Sequence, residues 1–256
     1  MAKWILKLCN ALLSLALGLV LIFAGAYSAY ALWDNNQIYT AAENVQADMM
    51  SMKPTVGEEE AEGASFEELL AINPDVCGWL ELDGTKIDYP VLQGEDNLSY
   101  INTDVYGNFA LAGSIFLDSG CENDFSAAYN LVHGHHMENS KMFGDLDLYK
   151  DETFFEENTT GRLILPKKTY KLEIIACILA PSSEKNIYEP RRWQADIDGL
   201  LEYAGENALH LHEDTHARLL NQRDGAKVLA LSTCSSEYTN ARTIILAAML
   251  PYSPGM

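Results

Sequence analysis

The sequence is short of basic charge: 17 Lys and Arg stand against 37 Asp and Glu, a formal net charge of −20. A surface of that sign argues against nucleic acid or anionic lipid headgroups as partners, and it suits a solvated domain outside the cell. Internal repeats are absent, which excludes solenoid and propeller arrays. Cysteine is sparse, with five residues in the chain. Cys9 lies in an N-terminal apolar run and cannot pair with residues beyond it. Cys77, Cys121, Cys177 and Cys234 could form two disulfides in an oxidising compartment. Their settings argue against it. Cys77 and Cys177 sit in apolar runs, as small core residues do, and Cys121 sits in the polar stretch Asp118–Asp124, read as an exposed turn.

Charge is missing altogether from Leu8 to Leu32. A bilayer core needs about 20 apolar residues in helical form, so this stretch is long enough to span. Lys3 and Lys7 precede it and Asp34 follows, an asymmetry that favours a cytoplasmic N-terminus and an extracellular remainder. A cleaved signal peptide is the alternative, since Ala24, Ala26 and Ala29 supply small residues, but the run exceeds the usual apolar length of such signals. The layout expected is a transmembrane anchor at 1–33, a polar and acidic stalk and linker at 34–64, and one catalytic domain at 65–256.

Asp34–Met52 reads as a helix, and Lys53–Gly63, with Pro54, Gly57 and Glu58–Glu60, as a linker. Ser65 and Glu68 form a capping box for a short helix that must stop before Pro74. Strand signals then dominate. Segments 78–82 and 86–89 flank the turn Asp83-Gly84; 114–117 and 128–132 are short apolar strands. Segments 162–165 and 170–179 flank Pro166–Thr169. Residues 194–209 carry Ile197, Leu200, Leu201, Ala204 and Ala208 near helical spacing. The fold class expected is mainly β with helices: a mixed β-barrel with an N-terminal helix and an inserted helix before the last two strands, plus one N-terminal transmembrane helix.

Those last two strands carry the chemistry. Lys227–Cys234 and Arg242–Met249 read as a hairpin around the loop 235–241. Such a hairpin sets the Cys234 thiol beside the Arg242 guanidinium, a permanent positive charge where thiolate attack on a carbonyl would create an oxyanion. Ser232 and Cys234 share one face of the strand and Thr233 the other. A thiol nucleophile needs a proton partner, and Asn130-Leu-Val-His-Gly-His-His-Met137 offers His133, His135 and His136 around Gly134. Sequence alone does not choose among the three. His133 and His135 could instead bind zinc, but a closed site needs about four ligands, and no carboxylate or thiolate nearby is spaced to complete it. His210, His212 and His216 lie in a polar stretch and read as a solvated helix end or loop.

Leu231-Ser-Thr-Cys234 with Arg242 resembles the Leu-x-Thr-Cys…Arg signature of sortases, the cysteine transpeptidases of Gram-positive cell surfaces. The segments 130–135, Met142-Phe143 with Leu146, Asn73–Trp79, Thr85–Val91 and Gly113–Asp118 are similar to those of class B sortases, over about Ser65 to Pro251. The resemblance implies that His135 is the catalytic histidine, Cys234 the nucleophile and Arg242 the oxyanion-stabilising residue. It implies that Asn97, Ile101, His133, Tyr188, Ser232 and Thr233 bind substrate. Two positions depart from the pattern: Ala230 stands where a Thr is usual, and His133 where a Tyr is usual. The implied activity cleaves a C-terminal sorting motif of an exported protein through a thioester. The acyl group then passes to an amine of a peptidoglycan cross-bridge or a pilin lysine, with no metal and no cofactor. Two alternatives stay open on sequence: a peptidase in which water resolves the same acyl-enzyme, and a non-catalytic surface binding module.

Overall fold

The computed structural model describes residues 1–54, 66–194, 197–221, 225–233 and 241–252. The chain divides into two compact units, Met1–Ala41 and Ala42–Met256. Helix α1 (Ala2–Met50) supplies the first. Its apolar side chains, Leu12, Leu15, Leu19, Ile22 and Phe23 among them, stand exposed. The helix is long and apolar enough, by length and composition, to cross a membrane. In the second unit the polar segment read as helical is helical to Met50, and Met49 is buried with Phe66, Leu69, Trp79 and Ile164.

The second unit continues with α2 (Glu67–Ile72), β1 (Val76–Leu82), β2 (Asp88–Leu92), β3 (Ile115–Leu117) and β4 (Tyr129–Gly134). A short ribbon, β5 (His136–Met137) with β6 (Lys141–Met142), precedes a 3₁₀ turn at Gly144–Lys150 and α3 (Glu152–Glu157). Then come β7 (Thr160–Leu165), β8 (Lys168–Pro181), α4 (Lys185–Tyr188) and α5 (Asp198–Asn207). The unit ends with β9 (Ala208–Leu211), α6 (Glu213–Asn221), β10 (Val228–Thr233) and β11 (Ala241–Pro251).

Among the described residues, β11, β10, β4, β3, β2, β1, β7 and β8 are neighbours in that order, and β8 pairs with β11 to close a barrel. Closure removes the exposed edges that an open sheet would present. The pairs β2–β3 and β4–β10 are parallel and the other barrel pairs antiparallel, so the barrel is mixed, as expected. The Asp83-Gly84 turn joins β1 to β2, with Gly84 at φ 73°, where a side chain would be strained. Consecutive residues Ile174–Ile178 and Val228–Leu231 are buried, so both faces of β8 and β10 are covered; α5 and α6 pack on β8.

One expectation needs correction. The helical pattern at 194–209 yields α5 only over Asp198–Asn207, and residues 208–211 become β9. β7 pairs with β8 only as far as Glu173, leaving the next stretch of that edge open. Ala208, His210 and Leu211 pair with Ile178, Cys177 and Ala176 there. Satisfying buried backbone donors outweighs local helical periodicity. Ser65, the expected helix cap, and residues 55–64 of the expected linker lie outside the described residues.

Candidate active site

The site is built where β4 and β10 end. They run parallel, with Ser232 in register with His133 and Thr233 with Gly134. His135 follows Gly134 in the chain and Cys234 follows Thr233. Cys234 itself, with the loop 235–240, lies outside the described residues. β11 runs antiparallel to β10, Ile244 opposite Ser232, so Arg242 enters at the same end of the barrel. Its Nη1 donates to the Thr233 carbonyl at 3.3 Å. Gly134 is required for room: a Cβ there would meet Ile115 Cδ1 at 2.4 Å and the Phe143 ring at 2.8 Å.

His135 is half-buried, and its Nε2 donates to the Ile101 carbonyl at 2.6 Å. A carbonyl only accepts, so this bond sets a proton on Nε2 and leaves Nδ1 for exchange. The His135 carbonyl accepts from the Phe143 N–H at 2.9 Å, which holds the backbone of the turn.

His133 goes elsewhere. It is buried, and its Nε2 donates to Asp118 Oδ2 at 2.8 Å. That oxygen also accepts from Asn97 Nδ2 at 2.8 Å, while Oδ1 accepts from the Gly120 N–H at 2.8 Å. Burial alone would raise the Asp118 carboxyl, but hydrogen bonds from His133, the Gly120 N–H and Asn97 outweigh it and hold it below the ordinary carboxylate range. The His133 ring stacks on Tyr188 with centroids 6.3 Å apart and planes at 12°. Tyr188 Oη lies 2.7 Å from Ser232 Oγ, and the Arg242 guanidinium carbon lies 5.6 Å from the Tyr188 ring centre. Such contacts hold a cation against an aromatic face.

Asn97, His133, Tyr188, Ser232 and Arg242 form one connected set through Asp118 and the Tyr188 ring, and His135 and Ile101 form a separate pair. Both polar ends of the Asn97 amide are engaged, Nδ2 by Asp118 and Oδ1 by the Ser119 N–H at 2.7 Å. Ser232 and Thr233 are 0% and 2% exposed, and Thr233 Oγ1 accepts from the Thr243 N–H at 3.3 Å. An open cleft of about 540 Å³, lined by Asp118, Gly120, Tyr188, Arg191 and Arg192, borders the set. Two participants escaped sequence reasoning. The Ile101 carbonyl is a backbone atom and leaves no trace in residue identity; Asp118 ends a matched motif, but its partner is 15 residues away and nothing local assigns it to His133.

Three other thiols, Cys77, Cys121 and Cys177, are buried. Burial pushes Cys77, Cys121 and Cys177 up to about 12 each, so they stay protonated at neutral pH. Cys121, expected on an exposed turn, is instead 8% exposed and accepts from the Leu131 N–H. The second histidine group also departs from expectation. His216 is buried and donates to the Leu201 carbonyl at 2.8 Å, and His212 stacks on Phe155 at 4.1 Å. Among the described residues, no group of three or more His, Cys, Asp or Glu is arranged to hold a metal ion.

No protein-family model matches the chain. Among curated proteins it is similar to Sortase B of Listeria monocytogenes serovar 1/2a, 27% identical over 228 residues that cover 88% of this chain and 90% of that protein. It is similar to Sortase B of Staphylococcus aureus strain NCTC 8325, 27% identical over 190 residues, 73% of this chain and 75% of that protein. Among solved structures it is similar to a class B sortase of Streptococcus pyogenes involved in pilus biogenesis. That match has a TM-score of 0.64 and 33% identity, covering 72% of this chain and 97% of the other.

Proposed function

This chain belongs to the class B sortases and is a cysteine transpeptidase of that family; from that premise we propose that Cys234 is its nucleophile, His135 its proton carrier and Arg242 its oxyanion cation. The observation that carries the reading is the shared exit of β4, β10 and β11: Thr233 in register with Gly134, and Arg242 on the Thr233 carbonyl.

In the first half-reaction the Cys234 thiol gives its proton to His135 Nδ1, the sulfur bonds to the scissile carbonyl carbon, and the tetrahedral oxyanion faces Arg242. The C–N bond then breaks, and His135, oriented by Ile101, delivers a proton from Nδ1 to the leaving amine. The product is a thioester. In the second half-reaction an amine attacks that thioester, His135 takes its proton, and the C–S bond breaks. One well-aimed oxyanion donor contributes about 3–4 kcal/mol of transition-state stabilisation. Arg242→Ala should therefore lower kcat by about 10²–10³.

The substrate is a sorting motif of an exported protein, bound along Asn97, Ile101, His133, Tyr188, Ser232 and Thr233. The acceptor is a peptidoglycan cross-bridge amine or a pilin lysine. Helix α1 anchors the enzyme with 1–33 in and before the bilayer, 34–64 as stalk and linker whose stretch 45–53 packs on the domain, and 65–256 as the extracellular catalytic domain. The apolar stretch of α1, with Lys3 and Lys7 before it, supports that arrangement.

The test traps the acyl-enzyme with a panel of sorting peptides and weighs the adduct by mass. The expected outcome is a peptide fragment on Cys234 that an added amine removes with formation of a new amide. No adduct from any peptide, or turnover surviving Cys234→Ala, overturns the site assignment. Adducts resolved only by water replace transfer with hydrolysis. Recovery of the chain from the soluble fraction of cells, shortened at its N-terminus, overturns the anchor.

A further inference from the structure

We infer that Asp147 is a positioning residue of the transfer reaction, a single carboxylate that ties down the chain neighbours of His135, Arg242 and Cys234 and so directs all three. The inference rests on the site assignment proposed above and deepens it.

Asp147 lies in the 3₁₀ turn at Gly144–Lys150. Its Oδ2 accepts from His136 Nε2 at 3.1 Å. Its Oδ1 accepts from the Thr243 hydroxyl at 2.6 Å and from Lys150 Nζ at 2.8 Å. Thr243 passes the connection on, since its backbone N–H donates to Thr233 Oγ1 at 3.3 Å. His136 follows His135, Thr243 follows Arg242, and Thr233 precedes Cys234. One carboxylate thus connects three segments that are remote in sequence, each through the residue beside a reacting one.

Extended backbone explains why this matters. Successive side chains leave a strand on opposite sides, so pinning one residue on the far side fixes the direction of its neighbour. Arg242 points to Tyr188 while Thr243 points to Asp147. His135 points to Ile101 while His136 points to Asp147. The turn that carries Asp147 is itself held fast, because Leu146 and Tyr149 on either side of it are buried in the core. Among the described residues, the charged and titratable groups facing the carboxylate include His136, Lys150 and the buried Cys177 thiol. Burial alone would push its carboxyl up, but the bonds from His136, Lys150 and Thr243 hold it well below the ordinary carboxylate range. It stays ionised wherever the enzyme would work.

The test uses the full chain in detergent micelles on a Cys9→Ser background, so that Cys234 is the thiol open to iodoacetamide. The variants are Asp147→Ala, Asp147→Asn, Thr243→Val and Thr243→Ser. Asp147→Ala should lower kcat about 10- to 100-fold with KM nearly unchanged, the scale expected of a displacement of about 1 Å at a reacting group. It should also move the pH midpoint of Cys234 alkylation, mapped by mass, because the thiol and imidazole no longer meet as before. Thr243→Val should fall between, and Thr243→Ser, which keeps the hydroxyl, should restore wild-type values. Asp147→Asn retains an acceptor for Thr243 and should lose less than Asp147→Ala.

Wild-type kcat and an unmoved alkylation profile in Asp147→Ala overturn the inference. So does a loss that only tracks the unfolded fraction in a thermal melt. Cys234→Ala separates the two claims. Turnover surviving it sinks the site assignment and this inference together, whereas a dead Cys234→Ala beside a fully active Asp147→Ala sinks this inference alone.

Discussion

Two stretches of this chain carry three histidines each, 133–136 and 210–216, and their rings meet different sets of partners. In the first, two rings meet carboxylates: His133 meets Asp118 at 2.8 Å and His136 meets Asp147 at 3.1 Å. Between them His135 is held by a backbone carbonyl and remains half-buried. In the second, His210 and His216 donate to the carbonyls of Lys150 and Leu201, and His212 lies flat on Phe155. Its nearest acid, Glu156, is 4.0 Å away and itself exposed. Histidine density is therefore uninformative by itself. His135 donates to a carbonyl as His210 and His216 do; what sets it apart is its place at the end of β4, beside the ends of β10 and β11.

The sharpest way to break this comparison is to remove one ring from each group. His135→Ala should abolish most transfer, a loss of about 10²–10⁴ in kcat for a general acid–base group. His210→Ala should leave kcat unchanged and shift stability by no more than about 0.5 kcal/mol. Equal losses in a peptide-transfer assay would erase the distinction.

Next in size is the buried pair that flanks His135. Asp118→Asn leaves His133 without its carboxylate and should cost about 3 kcal/mol at pH 7, read by urea denaturation. The pH dependence follows from the sign of the shift. The folded carboxyl lies below its unfolded value, so its contribution is complete above about pH 4. It is lost as pH falls through the folded value. The gap between wild type and Asp118→Asn should narrow from pH 7 to pH 3, and a constant gap would contradict the charge assigned to the pair.

The smallest effect belongs to the second group. His216→Ala removes a buried ring and its hydrogen bond to the Leu201 carbonyl, costing roughly 1–2 kcal/mol of stability. Activity per folded molecule should be unchanged. A drop in kcat at full folding would give the second group a share in the chemistry.

Much of the fold could be read in advance because its signals are local. The Asp83-Gly84 turn and the Pro166-Lys167 turn each join strands whose alternation is visible in the sequence, and both hairpins form. The thiol and the guanidinium share a hairpin, so their strands could be expected to pair, and β10 and β11 do. The failures have a common cause. Residues 208–211 carry helical periodicity yet become β9, because an open edge of β8 offers backbone partners that no local window reveals. Cys121 sits among polar residues yet is buried, because Leu131, ten positions on, folds its N–H against the sulfur.

The sequence alone determined the inventory of this protein: the apolar N-terminal stretch, the strand-rich domain, and a thiol, an arginine and a histidine cluster in motifs spaced like those of class B sortases. Those follow from residue type and short-range order, which a linear text records. Only the tertiary structure decided which histidine faces which partner. The parallel pairing of β4 with β10 brings together segments about a hundred residues apart, and the acids that orient the rings, Asp118 and Asp147, come from still other loops. Hydrogen bonds act over about 3 Å, and closing long loops to that distance depends on how the whole core packs, which no local pattern encodes.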